Sequence, residues 1–203
     1  MGTHKPSLTL APGSPPLGAI ALRQMTECAR LGRISVVVNA ADSLEWLADS
    51  SLDAVRSRFR VVRCFDAELG MSRSLKAGLR DAREGHSDGV MIVLADQPFV
   101  TTELLDRVAD AYASNEQLDY VACEIGGEAM PPVMLGPAMY DAIDRLEGDA
   151  GARRLLLSGE YRGRRLVIES PEALMDIDDP GQLEQASKLW SAESSGANAS
   201  RTQ

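Results

Sequence analysis

The sequence has few of the residues on which nucleophilic and acid–base catalysis usually depend. Only two of its 203 residues are histidines, so histidine-based catalysis has almost no candidates. The three cysteines, Cys28, Cys64 and Cys123, are far apart and form no CxxC pair or Cys/His cluster. We therefore expect reduced cysteines in the core.

Positive charge and long apolar runs are also scarce. A formal net charge of -9 opposes binding to a polyphosphate backbone, so we expect no nucleic-acid partner. No run of about 18 apolar residues offers a membrane span. The segment before Leu8 is too short and too polar for a secretory signal. These absences predict a globular cytoplasmic protein that acts on a small molecule and has no membrane partner.

Short apolar segments alternate with helical patterns along the chain. Strand patterns cover residues 8–11, 34–38, 60–65, 89–94, 120–123 and 164–168, and helical patterns cover 20–31, 43–57, 72–83 and 101–113. The alternation predicts an α/β, Rossmann-like fold, with a mostly parallel sheet and helices on both faces.

Domain boundaries follow from the same patterns. We expect one nucleotide-binding domain over residues 8–190, with a disordered start (1–7) and a disordered tail (191–203). The glycine- and proline-rich residues 126–136 are expected to form a substrate-side extension of this domain.

Acidic residues follow the apolar strand pattern at 89–94 and lie in a later strand candidate near Ile177. Asp96 ends an apolar strand in LADQP (94–98), and Asp178 lies in DIDDP (176–180). In parallel sheets ligands bind beyond the carboxyl ends of strands, where carboxylates can hold Mg²⁺ or a ribose hydroxyl. The alternative is helix capping, by Asp96 or Thr101 before one helix and by Asp179 before another.

Two further segments combine a turn with the start of a helix. GMSRSLKAGL (70–79) offers Gly70, Ser72 and Ser74, whose hydroxyls and free backbone N–H groups suit a base or phosphate. GDAGARRLL (148–156) offers Arg153 as a candidate for binding an anion. A capped helix and a solvated helix face are the respective alternatives.

These motifs, together with LAPGSPPLG (10–18) and PPV (131–133), resemble in order and spacing the molybdenum-cofactor nucleotidyltransferase family (MobA/MocA-like) over residues 8–190. The resemblance implies a nucleotide-diphospho-sugar transferase-like fold. It implies that Asp96 and Asp178 hold Mg²⁺. It also implies a cofactor site, which comprises Gly13, Ser14, Gly18, Gly70, Ser72, Ser74, Asp96 and Arg153.

The first loop departs from the family pattern. Pro16 stands at the family's arginine, no lysine follows Gly18 within reach, and the next cation is Arg23. Proline also lacks the N–H group that a phosphate cradle uses, and Pro12 and Pro15 add to this loss.

This departure from the family pattern predicts a reaction other than nucleotidyl transfer. Some similar proteins are of the nicotine-blue oxidoreductase type, so we expect an NAD(P)H-dependent oxidoreductase that reduces a quinone-like substrate through bound FMN, with no catalytic residue assigned. The alternative is a Mg²⁺-dependent cytidylyl- or guanylyltransferase that uses CTP or GTP on molybdopterin, a pterin, with Arg23 or Arg153 supplying the missing charge. A second alternative is a non-catalytic nucleotide or cofactor carrier.

Overall fold

A computed structural model of the chain describes residues 4–85 and 87–199; the predicted disorder of residues 1–3 and 200–203 lies outside this range. The described α-helices are α1 (Leu17–Glu27), α2 (Met71–Arg83), α3 (Thr102–Ala113), α4 (Tyr140–Asp144), α5 (Arg153–Leu156) and α6 (Pro180–Ala199). The described strands are β1 (Ile34–Asn39), β2 (Phe59–Cys64), β3 (Val90–Ile92), β4 (Tyr120–Ile125), β5 (Glu128–Leu135) and β6 (Gly163–Val167). None of these helices is long and apolar enough to cross a membrane.

The strands form two sheets. Strands β1 and β2 pair in parallel, and the other four are ordered β3-β5-β4-β6, with β4 and β6 parallel. Strand β5 runs antiparallel to both of its neighbours. The predicted α/β fold is confirmed, and the antiparallel β5 is a feature that the local pattern did not indicate.

Alternate residues of β4 face two different cores. Tyr120 and Ala122 pack in a cluster with Leu79 of α2. Val121 and Cys123 pack in a second cluster with Leu105 of α3. Because successive strand residues point to opposite faces, helices cover this sheet on both sides, as predicted.

Three segments differ from their sequence-based predictions. Residues 8–11 form no strand and make only a single bridge, from Thr9 to Pro16, because the prolines that follow cannot extend a hydrogen-bonded ladder. Residues 43–57 form two 3₁₀ segments, Glu45–Ala48 and Ser50–Arg58, rather than an α-helix.

The third is 126–136, predicted to be a substrate-side extension. It contains β5, which lies between β3 and β4 inside the sheet. Ala122 pairs with Val133 and Cys123 with Met130, so two prolines lie at an interruption of the register, where no ladder N–H is needed.

Part of each terminal segment that was predicted to be disordered has regular structure. Lys5–Ser7 is a 3₁₀ turn, and the His4 ring hydrogen-bonds the side chains of Ser7 (2.9 Å) and Asp42 (2.8 Å). Helix α6 continues to Ala199, past the predicted domain end at residue 190. Extending an existing helix adds one hydrogen bond per ordered residue, which local polarity alone does not reveal.

Candidate functional site

Asp96 and Asp178 meet at one point of the structure. Asp96 follows β3 and Asp178 precedes α6. The two loops are joined through Ile177, whose N–H donates to the Asp96 carbonyl at 3.1 Å. The Lys5 ammonium donates to Asp96 Oδ2 at 3.3 Å and also to Asp178 Oδ1. Both carboxylates therefore point at the position of a single cation.

The N-terminal turn holds Lys5 in place. Leu8 N–H donates to the Lys5 carbonyl at 3.0 Å, and Leu17 N–H donates to the Leu8 carbonyl at 2.8 Å, which attaches the turn to the start of α1. The hydrogen bond with Asp178 raises the pKa of Lys5, and partial burial opposes this shift. Sequence reasoning missed Lys5, because nothing local in residues 4–7 indicates a contact with distant carboxylates.

A third carboxyl group, that of Asp176, lies beside this pair. Burial, and then the Asp96 charge, raise the pKa of Asp176. Its Oδ1 is buried and has no hydrogen-bond partner among the described residues. Asp176 and Asp178 also line a cavity of about 300 Å³, together with apolar residues that include Ile125, Met130 and Met175. A partly apolar space therefore adjoins the acidic pair.

Asp179 is the N-cap of α6, as the capping alternative predicted. Its carboxylate accepts from Gln182 N–H at 2.9 Å, and the Gln182 side chain accepts from Asp179 N–H at 3.0 Å. This reciprocal pair is a capping box. Thr101 is the N-cap of α3, and its hydroxyl accepts from Leu104 N–H at 3.3 Å. Neither cap uses Asp96, which leaves its carboxylate to Lys5.

Hydrogen bonds within the loop LAPGSPPLG (10–18) hold its own conformation. The Ser14 hydroxyl accepts from Leu10 and Ala11 N–H, both at 3.1 Å, and Ser14 N–H donates to the Ala11 carbonyl at 3.0 Å. Gly13 has a left-handed backbone with φ of +81° and open space where a side chain would be. Gly18 is buried inside α1, and a Cβ there would lie 2.6 Å from the Trp46 ring. Gly18 therefore makes room for packing.

The segments 70–79 and 148–156 come together. Ser72 N–H donates to the Gly148 carbonyl at 3.1 Å, and a Cβ on Gly70 would lie 2.3 Å from the Gly148 carbonyl carbon. Ser72 is fully buried, and its hydroxyl has no partner among the described residues. Ser74 lies two residues further along α2. The predicted binding residues Gly70 and Ser72 thus lie where the segment 70–79 packs against Gly148.

The two arginines considered as replacement cations are paired elsewhere. Arg23 bonds Glu27 of α1 at 2.8 Å, and Arg153 bonds Glu128 of β5 at 3.1 Å. Both pairs are exposed, so each contributes little to stability. Lys5 is the cation that contacts Asp96 and Asp178. The strand expected near Ile177 is not present among the described residues, because 175–179 form an irregular segment between a 3₁₀ turn and α6.

The acidic pair has the ligand chemistry of an incomplete magnesium site. Within the described part of the chain, no group of three or more His, Cys, Asp or Glu side chains is placed to hold a metal ion. Mg²⁺ usually takes one or two protein carboxylates and completes its shell with water and substrate phosphates. Two convergent carboxylate oxygens fit that requirement.

Comparison with known proteins identifies the family to which the chain is similar. A family model described as a MobA-like NTP transferase domain matches residues 1–164. The purine catabolism protein PucB of Bacillus subtilis (strain 168) is 31% identical over 195 residues, which are 94% of this chain and 91% of that protein.

Three solved structures are similar in fold. The Rv0371c homolog from Mycobacterium sp. strain JC1 has a TM-score of 0.74 at 25% identity, covering 93% of this chain and 91% of that one. The manganese complex of Rv0371c from Mycobacterium tuberculosis H37Rv has a TM-score of 0.70 at 19% identity, covering 92% and 93%. The molybdopterin-guanine dinucleotide biosynthesis protein A from Archaeoglobus fulgidus has a TM-score of 0.64 at 16% identity, covering 94% and 92%.

The prediction of an NAD(P)H-dependent quinone oxidoreductase with FMN is wrong, because the matching family model is one of NTP transferases. That prediction took the missing cations of the loop 10–18 as a loss of transfer chemistry. Lys5, from outside the loop, brings an ammonium group to the aspartates instead. The predicted resemblance to MobA-like proteins is confirmed, and the chain belongs to the family of MobA-like NTP transferase domains.

Proposed function

We propose that this protein is a Mg²⁺-dependent nucleotidyltransferase that uses CTP or GTP and acts on molybdopterin. The observation that carries the proposal is the convergence of Asp96 Oδ2 and Asp178 Oδ1 on one cation position. The family match and the resemblance to a molybdopterin-guanine dinucleotide biosynthesis protein support the choice of nucleotide and acceptor. The manganese complex of a protein with this fold supports a divalent ion.

In the proposed reaction, a phosphate oxygen of the acceptor bonds to the α-phosphorus of the nucleotide. The bond from that phosphorus to the pyrophosphate oxygen breaks, and pyrophosphate leaves with the bonding electrons. Mg²⁺, when bound, neutralises charge on the phosphates. Asp96 and Asp178 would hold it, and their anchored loops would fix its position relative to the sheet.

The remaining residues would bind and orient the two substrates. The paired loops at 70–74 and 148 would border the nucleotide, and the hydrogen bond from Ser72 N–H to the Gly148 carbonyl holds them together. The cavity of about 300 Å³ beside Asp178 offers apolar contact from Met130 and Met175 to a ring of the acceptor.

Pyrophosphate release tests the proposal. Purified protein is incubated with molybdopterin, Mg²⁺ and either CTP or GTP, and pyrophosphate is measured enzymatically. We expect release with one of the nucleotides and its loss without Mg²⁺. Asp96→Asn and Asp178→Asn keep the shape of each side chain but remove the charge, and we expect each to lower the rate about 100-fold or more.

Asp179→Asn is the matched control. It makes the same chemical change one residue from Asp178, at a cap position where asparagine is as good as aspartate, so the rate should stay near that of the wild type. Full activity in Asp96→Asn and Asp178→Asn would contradict the assigned roles. Nucleotide binding without pyrophosphate release would favour the non-catalytic carrier.

A further inference from the structure

The Lys5 side chain occupies the position at which a divalent cation would have to bind. Its Nζ lies 3.3 Å from Asp96 Oδ2 and in closer contact with Asp178 Oδ1. Mg²⁺ binds carboxylate oxygens at about 2.1 Å, so an ion bridging the same two oxygens would overlap the ammonium group. Lysine and metal therefore exclude each other from this position.

The charges around this position determine how strongly the site attracts a metal ion. Lys5 and Asp96 are both largely shielded, with side chains 30% and 24% exposed, while Asp178 is 63% exposed. Asp176 adds a third acidic group beside the pair. With Lys5 present, the two carboxylates that it contacts retain one net negative charge, and without it they would carry two.

The residues on both sides of Lys5 contact the rest of the protein. His4 is hydrogen-bonded to Asp42 at 2.8 Å, and Pro6 packs near Gly18, whose added Cβ would lie 3.0 Å from Pro6 Cβ. These contacts hold the Lys5 backbone beside α1, and the flexible four-carbon side chain can swing away from the carboxylates without any movement of the turn.

We propose that Lys5 is a tethered internal counter-ion of Asp96 and Asp178, which a divalent cation must displace in order to bind. This inference rests on the proposed function, because it concerns the same acidic pair. Lys5 thus weakens metal binding in the nucleotide-free protein, and it stabilises the acidic pair while no metal is there.

Titration with Mn²⁺ in the absence of nucleotide tests this role. Free Mn²⁺ is measured by electron paramagnetic resonance for the full-length wild type, Lys5→Met and Lys5→Gln, all in one low-salt buffer. Each partly exposed ion pair is a modest interaction, so we expect both variants to bind Mn²⁺ about 3- to 10-fold more tightly.

Two further variants test whether the tighter Mn²⁺ binding arises at the Asp96–Asp178 pair. Lys188→Met removes the same charge from an exposed position on α6, where Lys188 pairs with Glu184, and it should leave the Mn²⁺ affinity unchanged. The double variant Lys5→Met/Asp96→Asn should lose the gain. Circular dichroism verifies that each variant is folded.

Equal Mn²⁺ affinity in wild type, Lys5→Met and Lys5→Gln would overturn the inference, as would weaker binding in the lysine variants. Absence of Mn²⁺ binding in every protein would overturn it too, because the lysine-free pair is expected to bind. Pyrophosphate release by the wild type is measured separately, so the proposed function can stand when this inference fails.

Discussion

Gly70→Ala is expected to destabilise the protein strongly, because Gly70 combines two constraints. Its backbone has φ of +117° and ψ of 168°, a region that residues with a side chain rarely enter. An added Cβ would lie 2.3 Å from the carbonyl carbon and 2.4 Å from the carbonyl oxygen of Gly148. Backbone atoms cannot rotate away as a side chain can, so the two loops must separate.

The two costs can be estimated separately. Strain in this backbone region costs about 1–3 kcal/mol. Overpacking against fixed atoms costs about 1–3 kcal/mol more. The free energy of unfolding should therefore fall by about 2–6 kcal/mol, and for a chain of this size each 1 kcal/mol lowers Tm by about 2–4 °C.

Gly126→Ala is the matched control for backbone strain alone. Gly126 has φ of +60° and nothing within 4 Å of an added Cβ, so its substitution should cost about 1 kcal/mol. Urea unfolding followed by circular dichroism measures both variants. If Gly70→Ala unfolds within about 0.5 kcal/mol of Gly126→Ala, the backbone clash with Gly148 contributes nothing and the reasoning is refuted.

Three other predictions concern the core and a helix cap. Burial raises the pKa of Cys123 to about 12, so at pH 8 only about one molecule in ten thousand carries the thiolate there, and a thiol reagent should label it only after unfolding; rapid labelling of the native protein would contradict this. Gly163→Ala should cost about 1–3 kcal/mol in urea unfolding, because its Cβ would lie 1.8 Å from the buried Tyr120 ring, whereas Gly32→Ala, with open space, should be near neutral. Asp179→Ala should lower stability by about 0.5–2 kcal/mol while Asp179→Asn preserves it, and equal losses in the two would argue against the cap.

Local sequence signals predicted the elements whose residues determine their own conformation. The β-branched run at 34–38 is β1, and the helical pattern at 101–113 is α3 with Thr101 as its cap. The N-cap at Asp179, which the sequence indicated as an alternative, is equally local. In each case the signal lies within a few residues of the atoms that bond.

Strand β5 shows where local signals are insufficient. The prolines within it and the glycines on either side of it led to the expectation of a substrate-side extension, yet Glu128–Leu135 pairs with both β3 and β4. That pairing depends on strands distant along the chain and on a register interruption that accommodates the prolines. Propensity within the segment carries no information on either condition.

The candidate site divides in the same way. The sequence by itself determined that Asp96 follows an apolar strand, that Asp178 lies in an acidic segment before a helix, and that the loop LAPGSPPLG carries no cation. Only the tertiary structure decided which cation meets them, because Lys5 lies 91 residues from Asp96 and 173 residues from Asp178 along the chain. A contact over such separations leaves no periodicity or spacing to read. It exists because the hydrogen bond from Ile177 N–H to the Asp96 carbonyl joins the two acidic loops, and because the N-terminal turn is hydrogen-bonded to the start of α1.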